Sequence, residues 1–199
     1  ANSEGNGIAA IDTAVVGIDV AITALNLPNF ALPDELVAPE IKVFNNSPSM
    51  QTFDVTLVDE GTYNETMTVT DLAAGDTLWM TFPDWSYSTP DTVTLTATAA
   101  DPGGDYNLTN NEMSDSVIVG NFIFMQNGSA STCDALFFDS GGPDGDFQND
   151  EDYVYTITPD VVGNLAQVEF TFFDCAGSGF DYLEIYNGTT TSDPLLVSS

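Results

Sequence analysis

The sequence predicts an all-β protein made of two tandem antiparallel β-sandwich domains. Three observations carry this. Apolar residues recur at every second position in run after run, the spacing of a half-buried strand, and almost nowhere at helical spacing. The runs are short and are separated by clusters of Gly, Pro, Asn, Asp and Ser, which turn a chain back on itself. The 199 residues suffice for one large or two small domains, and 43% of them are apolar, enough to build cores.

Residues 1–17 read as an N-terminal extension. The first domain, 18–124, then opens with GIDVAITAL, in which Ile18, Val20 and Ile22 alternate. Ile41 and Val43 alternate in EIKVFNN, and Phe53, Val55 and Leu57 in FDVTLVDEG. Leu78, Met80 and Phe82 alternate in TLWMTF. Val93, Leu95 and Ala97 share one face of DTVTLTATA, with threonines on the other, and Val117 and Val119 close the set in DSVIVGN. The turn clusters NNSPS, DEGTYN, LAAGDT, SYSTPD and DPGGD lie between these runs. A soft junction, NFIFMQNGSAST, holds a linker at 125–131. The second domain, 132–199, strings together DALFFDS, a Gly-Asp loop, YVYTITP, AQVEFTFFD, DYLEIYNG and PLLVS, again read as antiparallel β. The two halves are not repeats of each other.

Charge narrows the partners. The chain carries 31 acidic residues, one basic residue (Lys42), no Arg and no His, for a net charge of −30. Nucleic acid is excluded, because backbone binding needs Lys and Arg to displace counterions. Anionic membrane surfaces are excluded for the same reason. No run is long and apolar enough for membrane insertion. Divalent cations, high salt or a covering of glycans would relieve the self-repulsion. Without His, neither a Ser-His-Asp triad, a Cys-His pair nor a His zinc site can be built. Carboxylate-pair hydrolysis is the chemistry left. No pair stands out for it, so the expectation is that the chain is not an enzyme. Rich Thr, Asn, Gly and Asp usage suits an exported, extracellular or cell-surface β-protein, and Ala-Asn-Ser suits a mature end left by signal cleavage. Cys133 and Cys175 allow one disulfide in an oxidising compartment; the alternative is two buried free thiols.

Four elements of the first domain resemble the CARDB-like group of immunoglobulin-like bacterial surface domains: the opening DVAITAL, then IKVFNNSP, then LAAGDTLWMTF, then GDYNLTNNE before the last strand. The resemblance implies a seven-stranded sandwich used for spacing, adhesion or assembly. In the second domain, FFDSGGPDGDFQNDEDYVYTITP, FTFFD and FDYLEIYNGTTTSDPLL resemble a CUB-type domain of secreted Bacteroidetes proteins. That resemblance implies a jelly-roll, which is expected to be incomplete within this chain. It also implies calcium held by an acidic residue after the F-x-x-F-D strand and an Asp before D-Y-L-x-I, here Asp174 and Asp181. Ala176 stands where a Glu is expected, and the remaining Asp would lie beyond Ser199. The two carboxylates either share a calcium ion or cap turns beside strand ends.

Other residues have two readings each. Asp139, Asp144, Asp146, Asp150, Glu151 and Asp152 crowd one loop but lack EF-hand spacing; the preferred reading is a solvated hairpin loop with Gly141, Gly142 and Gly145 at positive φ. Asp105, Asn107 and Asn111 either coordinate an ion or form Asx-turns before the last strand, and turns are preferred. Trp79, Trp85, Tyr87, Tyr182 and Tyr186 either stack on sugar rings or pack across strands. Asn45, Asn64, Asn107, Asn127 and Asn187 each begin a glycosylation triplet in or beside a turn.

The leading expectation is an exported structural and adhesive protein, the subunit of an extracellular filament that binds copies of itself. The apolar, β-capable stretch GIAAIDTAVVG, residues 7–17, precedes the first expected strand and is spare, so Ile8, Ile11, Val15 and Val16 would enter a neighbour's unfinished sheet. The rival is a carbohydrate-binding or spacer module of a larger secreted enzyme or adhesin, with glycans as ligands.

Overall fold

Inward-facing Val, Ile and Leu decide the arrangement of the first half. The computed structural model describes residues 17–143, 145–174 and 181–198. The chain divides into two compact units, 1–120 and 121–199. In the first unit, β1 (Val20–Asn26), β3 (Glu40–Asn45) and β6 (Thr77–Thr81) form one antiparallel sheet in the order β1-β3-β6. The second sheet runs β2-β8-β7-β4-β5, from β2 (Phe30–Ala31), β8 (Glu112–Val119), β7 (Asp91–Ala99), β4 (Gln51–Val58) and β5 (Asn64–Leu72). Its pairs are antiparallel except β2 with β8, which is parallel.

The alternation becomes packing. Ile41 and Val43 of β3 are fully buried, as are Val55 and Leu57 of β4 and Leu95 and Ala97 of β7. The two inner faces enclose one core, to which Val20, Ile22, Met80, Phe82, Val117 and Val119 belong. Threonines cover the outside in cross-strand pairs: the Thr94 and Ser116 hydroxyls lie 3.0 Å apart, and those of Thr56 and Thr66 also 3.0 Å. A bulge at Thr23 breaks the register of β1, so that Leu25 comes inward after Ile22.

Strand β5 had no counterpart among the expected runs. Its inward residues are Met67, Val69 and Leu72, and a register shift against β4 separates Val69 from Leu72, so the two-residue rhythm breaks. The expected seven strands are reached with it, and β2 is a short addition at the other edge.

The second unit departs further from expectation. Strand β9 (Phe122–Phe124) pairs in parallel with β11 (Leu136–Phe138), and β10 (Gly128–Ser131) in parallel with β12 (Tyr155–Thr158). The sequence reading ended the first domain at 124 and made 125–131 a linker, whereas β9 and β10 pair within the second unit. Each of these strands skips its neighbour in sequence, so no hairpin forms and the partners run the same way. Among the described residues of the second unit, β13 (Glu184–Tyr186) and β14 (Leu195–Ser198) alone pair antiparallel. Three two-stranded sheets thus replace the expected antiparallel jelly-roll among the described residues. The expected strand AQVEFTFFD is not formed over 166–174, where Phe170, Phe172 and Phe173 are exposed. Among the described residues, every buried apolar side chain lies between Val20 and Val119.

Trp85 ties the first core to a turn. It is fully buried, stacks on Tyr87 with ring centroids 6.4 Å apart, and donates its indole N–H to Asp59 Oδ2 at 3.1 Å. Asp59 Oδ1 accepts from the N–H groups of Gly61 and Tyr63. Trp85→Ala is expected to destabilise the first unit by about 3–5 kcal/mol, and Asp59→Ala by about 1–3 kcal/mol through the unpaired indole. Urea denaturation followed by circular dichroism checks both; a Trp85→Ala midpoint equal to the wild type contradicts the packing.

Candidate functional site

One end of the first unit is built from side-chain oxygens. Asp101 opens the β7–β8 loop, and its Oδ1 accepts from the N–H groups of Gly103, Gly104 and Asp105 at 2.7, 2.8 and 2.9 Å. Gly103 and Gly104 take φ of +118° and +104°, a region that side chains with a Cβ rarely enter. These donors, the Asp105 N–H first, hold the Asp101 carboxyl below the usual carboxylate range.

The turn delivers Asp105 to the start of β1. Asp105 Oδ2 accepts from the Val20 N–H at 3.0 Å and from Asn111 Nδ2 at 3.2 Å, and its Oδ1 accepts from the Asn107 N–H at 2.8 Å. The neighbouring carboxylate, Asp19, is almost completely buried. Asn46 Nδ2 and the Tyr106 hydroxyl donate to its Oδ2 at 2.6 and 3.2 Å, and Asn110 Nδ2 donates to its Oδ1 at 3.0 Å. The bond to Asp19 pushes the Tyr106 phenol above its ordinary value. Among the described residues, every hydrogen bond that reaches Asp19 or Asp105 comes from a neutral donor. Two oxygens complete the arrangement: the buried Oδ1 atoms of Asn110 and Asn111 have no hydrogen-bond partner. The short 3₁₀ turn Leu108–Asn110 brings this pair in front of β8.

The expected Asx-turn at Asp105 is therefore present, but sequence reasoning placed neither Asp19 nor Asn110 beside it. Asp19 sits in GIDVAITAL where alternation puts a polar residue outside, and nothing in the local pattern marks its burial. Its partners lie far off in sequence.

The remaining candidates are scattered. Asn45 is completely buried; its Nδ2 donates to the carbonyls of Ser49, Leu72 and Ala73 at 2.9, 2.8 and 3.1 Å, so the folded protein offers no glycan acceptor there. Asn64, Asn127 and Asn187 are exposed and Asn107 is half-buried. Trp85 is closed to a sugar by its burial. Trp79 is exposed on β6, with the Lys42 ammonium 5.8 Å from its ring centroid, and Tyr182 is exposed as well. Tyr186 is half-buried and its hydroxyl donates to Glu184.

In the acidic loop, Asp139 Oδ1 accepts from the N–H groups of Gly141 and Gly142 at 2.8 and 3.0 Å. Of the three glycines expected at positive φ, Gly142 alone takes it, at +73°. Gly141 is required for space instead, because a Cβ there would collide with the Asp146 backbone. Ser140 donates to Glu151, Asp146, Asp150 and Asp152 are exposed, and Asp144 lies outside the described residues. Asp174 is exposed and Asp181 half-buried, and the 175–180 segment between them lies outside the described residues. Among the described residues no three His, Cys, Asp or Glu side chains converge as metal ligands. Cys133 is an exposed free thiol that donates to Asp160 Oδ1 at 2.6 Å, and that bond pushes its pKa up. Its expected partner, Cys175, and the donor residues Ile8, Ile11, Val15 and Val16 lie outside the described residues. No described helix is long and apolar enough to cross a membrane.

No family profile matches the chain, and no curated protein does. Solved structures are similar to about half of it. A crystal structure of a CARDB domain from Pyrococcus furiosus, in complex with di-metal ions, is 20% identical over 52% of this chain and 89% of that one, with a TM-score of 0.44. A solution structure of the same domain is 21% identical over 51% and 94%, with a TM-score of 0.43. Native alpha-2-macroglobulin from Escherichia coli, spanning domain MG7 to the C-terminus, is 19% identical over 54% of this chain and 18% of that one, with a TM-score of 0.43.

The Asp101 turn generates a pH prediction. A carboxyl whose folded pKa is depressed contributes its stability above the unfolded value and loses it as pH falls through the folded value. Asp101→Asn should therefore lower the melting temperature at pH ~7, and the gap to wild type should close as the pH falls below ~4, the ordinary range of an Asp. Calorimetric scans at both pH values check this; a gap that persists unchanged in acid contradicts it.

Proposed function

We propose that this chain is an exported structural and adhesive protein, the subunit of an extracellular filament joined by head-to-tail strand donation. One observation carries the reading: among the described residues, β14 pairs with β13 and with no other strand, and its Leu195, Leu196 and Val197 are at least half exposed. An edge of unpaired N–H and C=O groups beside exposed leucines is a template for another strand.

The donor in this reading is the stretch 7–17 of the next copy, with Ile8, Ile11, Val15 and Val16 covering the open apolar face. A contact between two different surfaces of one subunit propagates into a fibre unless its rotation closes a ring. The net charge of −30 supports the reading, since it keeps fibres apart sideways while main-chain pairing holds each together. The first unit acts as the spacer, with a closed core and a hydroxyl-rich outer face. The exposed triplets at Asn64, Asn127 and Asn187 suit an extracellular surface.

Electron microscopy of the full chain and of a chain lacking residues 1–16 tests the proposal. Fibres are expected from the full chain, and soluble monomers with an intact first unit from the shortened one. Fibres of unchanged width and repeat after the deletion overturn donation by this segment. A monomeric full chain at high concentration overturns the filament itself.

A further inference from the structure

We propose that Asp19, Asp105, Asn110 and Asn111 hold one divalent cation of the calcium class at the polar end of the first unit. The inference is independent of the assembly reading. It begins from two oxygens in the wrong company. Asn111 is only 4% exposed, and its Oδ1 has no hydrogen-bond partner. Turning the amide over does not help. Its Nδ2 donates to the Ala99 carbonyl at 3.3 Å and to Asp105 Oδ2 at 3.2 Å, so the flipped amide would press oxygen against two acceptors. The same holds for Asn110, whose Nδ2 is fixed by Asp19 Oδ1 while its Oδ1 is buried and unpaired. Buried oxygens of this kind cost free energy until something meets them.

Water or a cation are the candidates, and charge decides between them. Asp19 is 1% and Asp105 8% exposed, and among the described residues both receive only neutral donors. The two carboxylates lace one stretch of chain: the N–H of Val20, next to Asp19, reaches Asp105, and the hydroxyl of Tyr106, next to Asp105, reaches Asp19. Two buried negative charges in a chain of net charge −30 favour a cation over a neutral water. The donors are carboxylate and amide oxygens, with no nitrogen or sulfur ligand. That set suits a hard ion, and side chains of two Asp and two Asn suit the flexible coordination of calcium better than the strict octahedron of magnesium.

Isothermal titration of the full chain with calcium chloride, in about 0.15 M NaCl to screen the surface charge, is the test. One saturable calcium site is expected. Asp19→Asn and Asn110→Ala are each expected to weaken it by about tenfold or more, as loss of a ligand oxygen does. Glu60→Gln, which removes an exposed charge away from the site, should leave it unchanged. Circular dichroism establishes that each variant is folded, and if Asp19→Asn is not, Asn110→Ala decides alone. Absence of saturable binding overturns the proposal and leaves water on the two oxygens. Equal binding by wild type and Asn110→Ala overturns it too, because the ion then lies elsewhere. Displacement of calcium by equimolar magnesium overturns the choice of ion.

Discussion

With one ammonium among 31 carboxylates, this chain cannot stabilise its acidic residues by pairing them, and the ordered carboxylates are placed accordingly. Asp59, Asp101, Asp139 and Asp193 each accept from backbone N–H groups in a turn. Asp54 accepts from the Thr68 hydroxyl across a strand pair, and Asp19 from two amides and a phenol. A backbone N–H in a turn has no ladder to join, so the carboxylate removes an unsatisfied donor while the donor stabilises the charge. The carboxylates that give the chain its negative charge also supply the turn chemistry that closes the sandwich.

The two units answer that constraint differently. In the first, long strands carry Val, Ile and Leu inward, Thr and Ser outward and Asp at the turns, so that outside the polar end, where Asp19 and Asp105 are buried, burial and charge occupy separate layers. Trp85 bridges the layers through Asp59. In the second, β9 to β12 interleave as parallel pairs of three or four residues, too short to enclose a core, and the apolar residues of 166–174 stay exposed. A two-stranded sheet is marginal in water until a third strand or another layer covers it. That imbalance directs the functional reading toward association.

Alternation made the first sandwich legible, because period two with threonine on one face has few other solutions. It failed at β5, where a bulge interrupts the rhythm. It failed again over AQVEFTFFD, whose strong pattern forms no strand. Pattern reports what a segment can do in a sheet and not whether a partner strand stands beside it. Parallel pairing was illegible for the same reason, since it depends on which strand is skipped. Site residues divided similarly. Asp105 and Asn107 lie two apart and announced their turn. Asp19 and Asn110 are 91 positions apart, and only the folded sheets bring them together. Asn45 shows the converse: a triplet that looks exposed in sequence is spent on three carbonyls inside the fold.

The polar end also fixes how the chain enters β1. Gly17 lies where a Cβ would meet the Tyr106 ring at 2.7 Å, so a side chain there would force the ring aside. Ile18 bridges to Asp105, the Tyr106 N–H donates to the Ile18 carbonyl, Asp19 anchors Asn46 and Asn110, and Val20 enters β1. Three consecutive residues, Ile18 to Val20, are thus held by the β3–β4 and β7–β8 loops as the chain enters the core. In the proposed strand donation such an anchor matters, because a donated strand is only as firm as the point where its own domain releases it. Hydrogen bonds among neutral donors and carboxylates are individually worth about 1–3 kcal/mol. Several of them loaded together, in shear along β1 and across the β7–β8 loop, resist better than any one peeled singly. In the proposed filament the buried polar cluster would hold the donor's root, and the exposed apolar strand of a neighbouring copy's second unit would receive its tip.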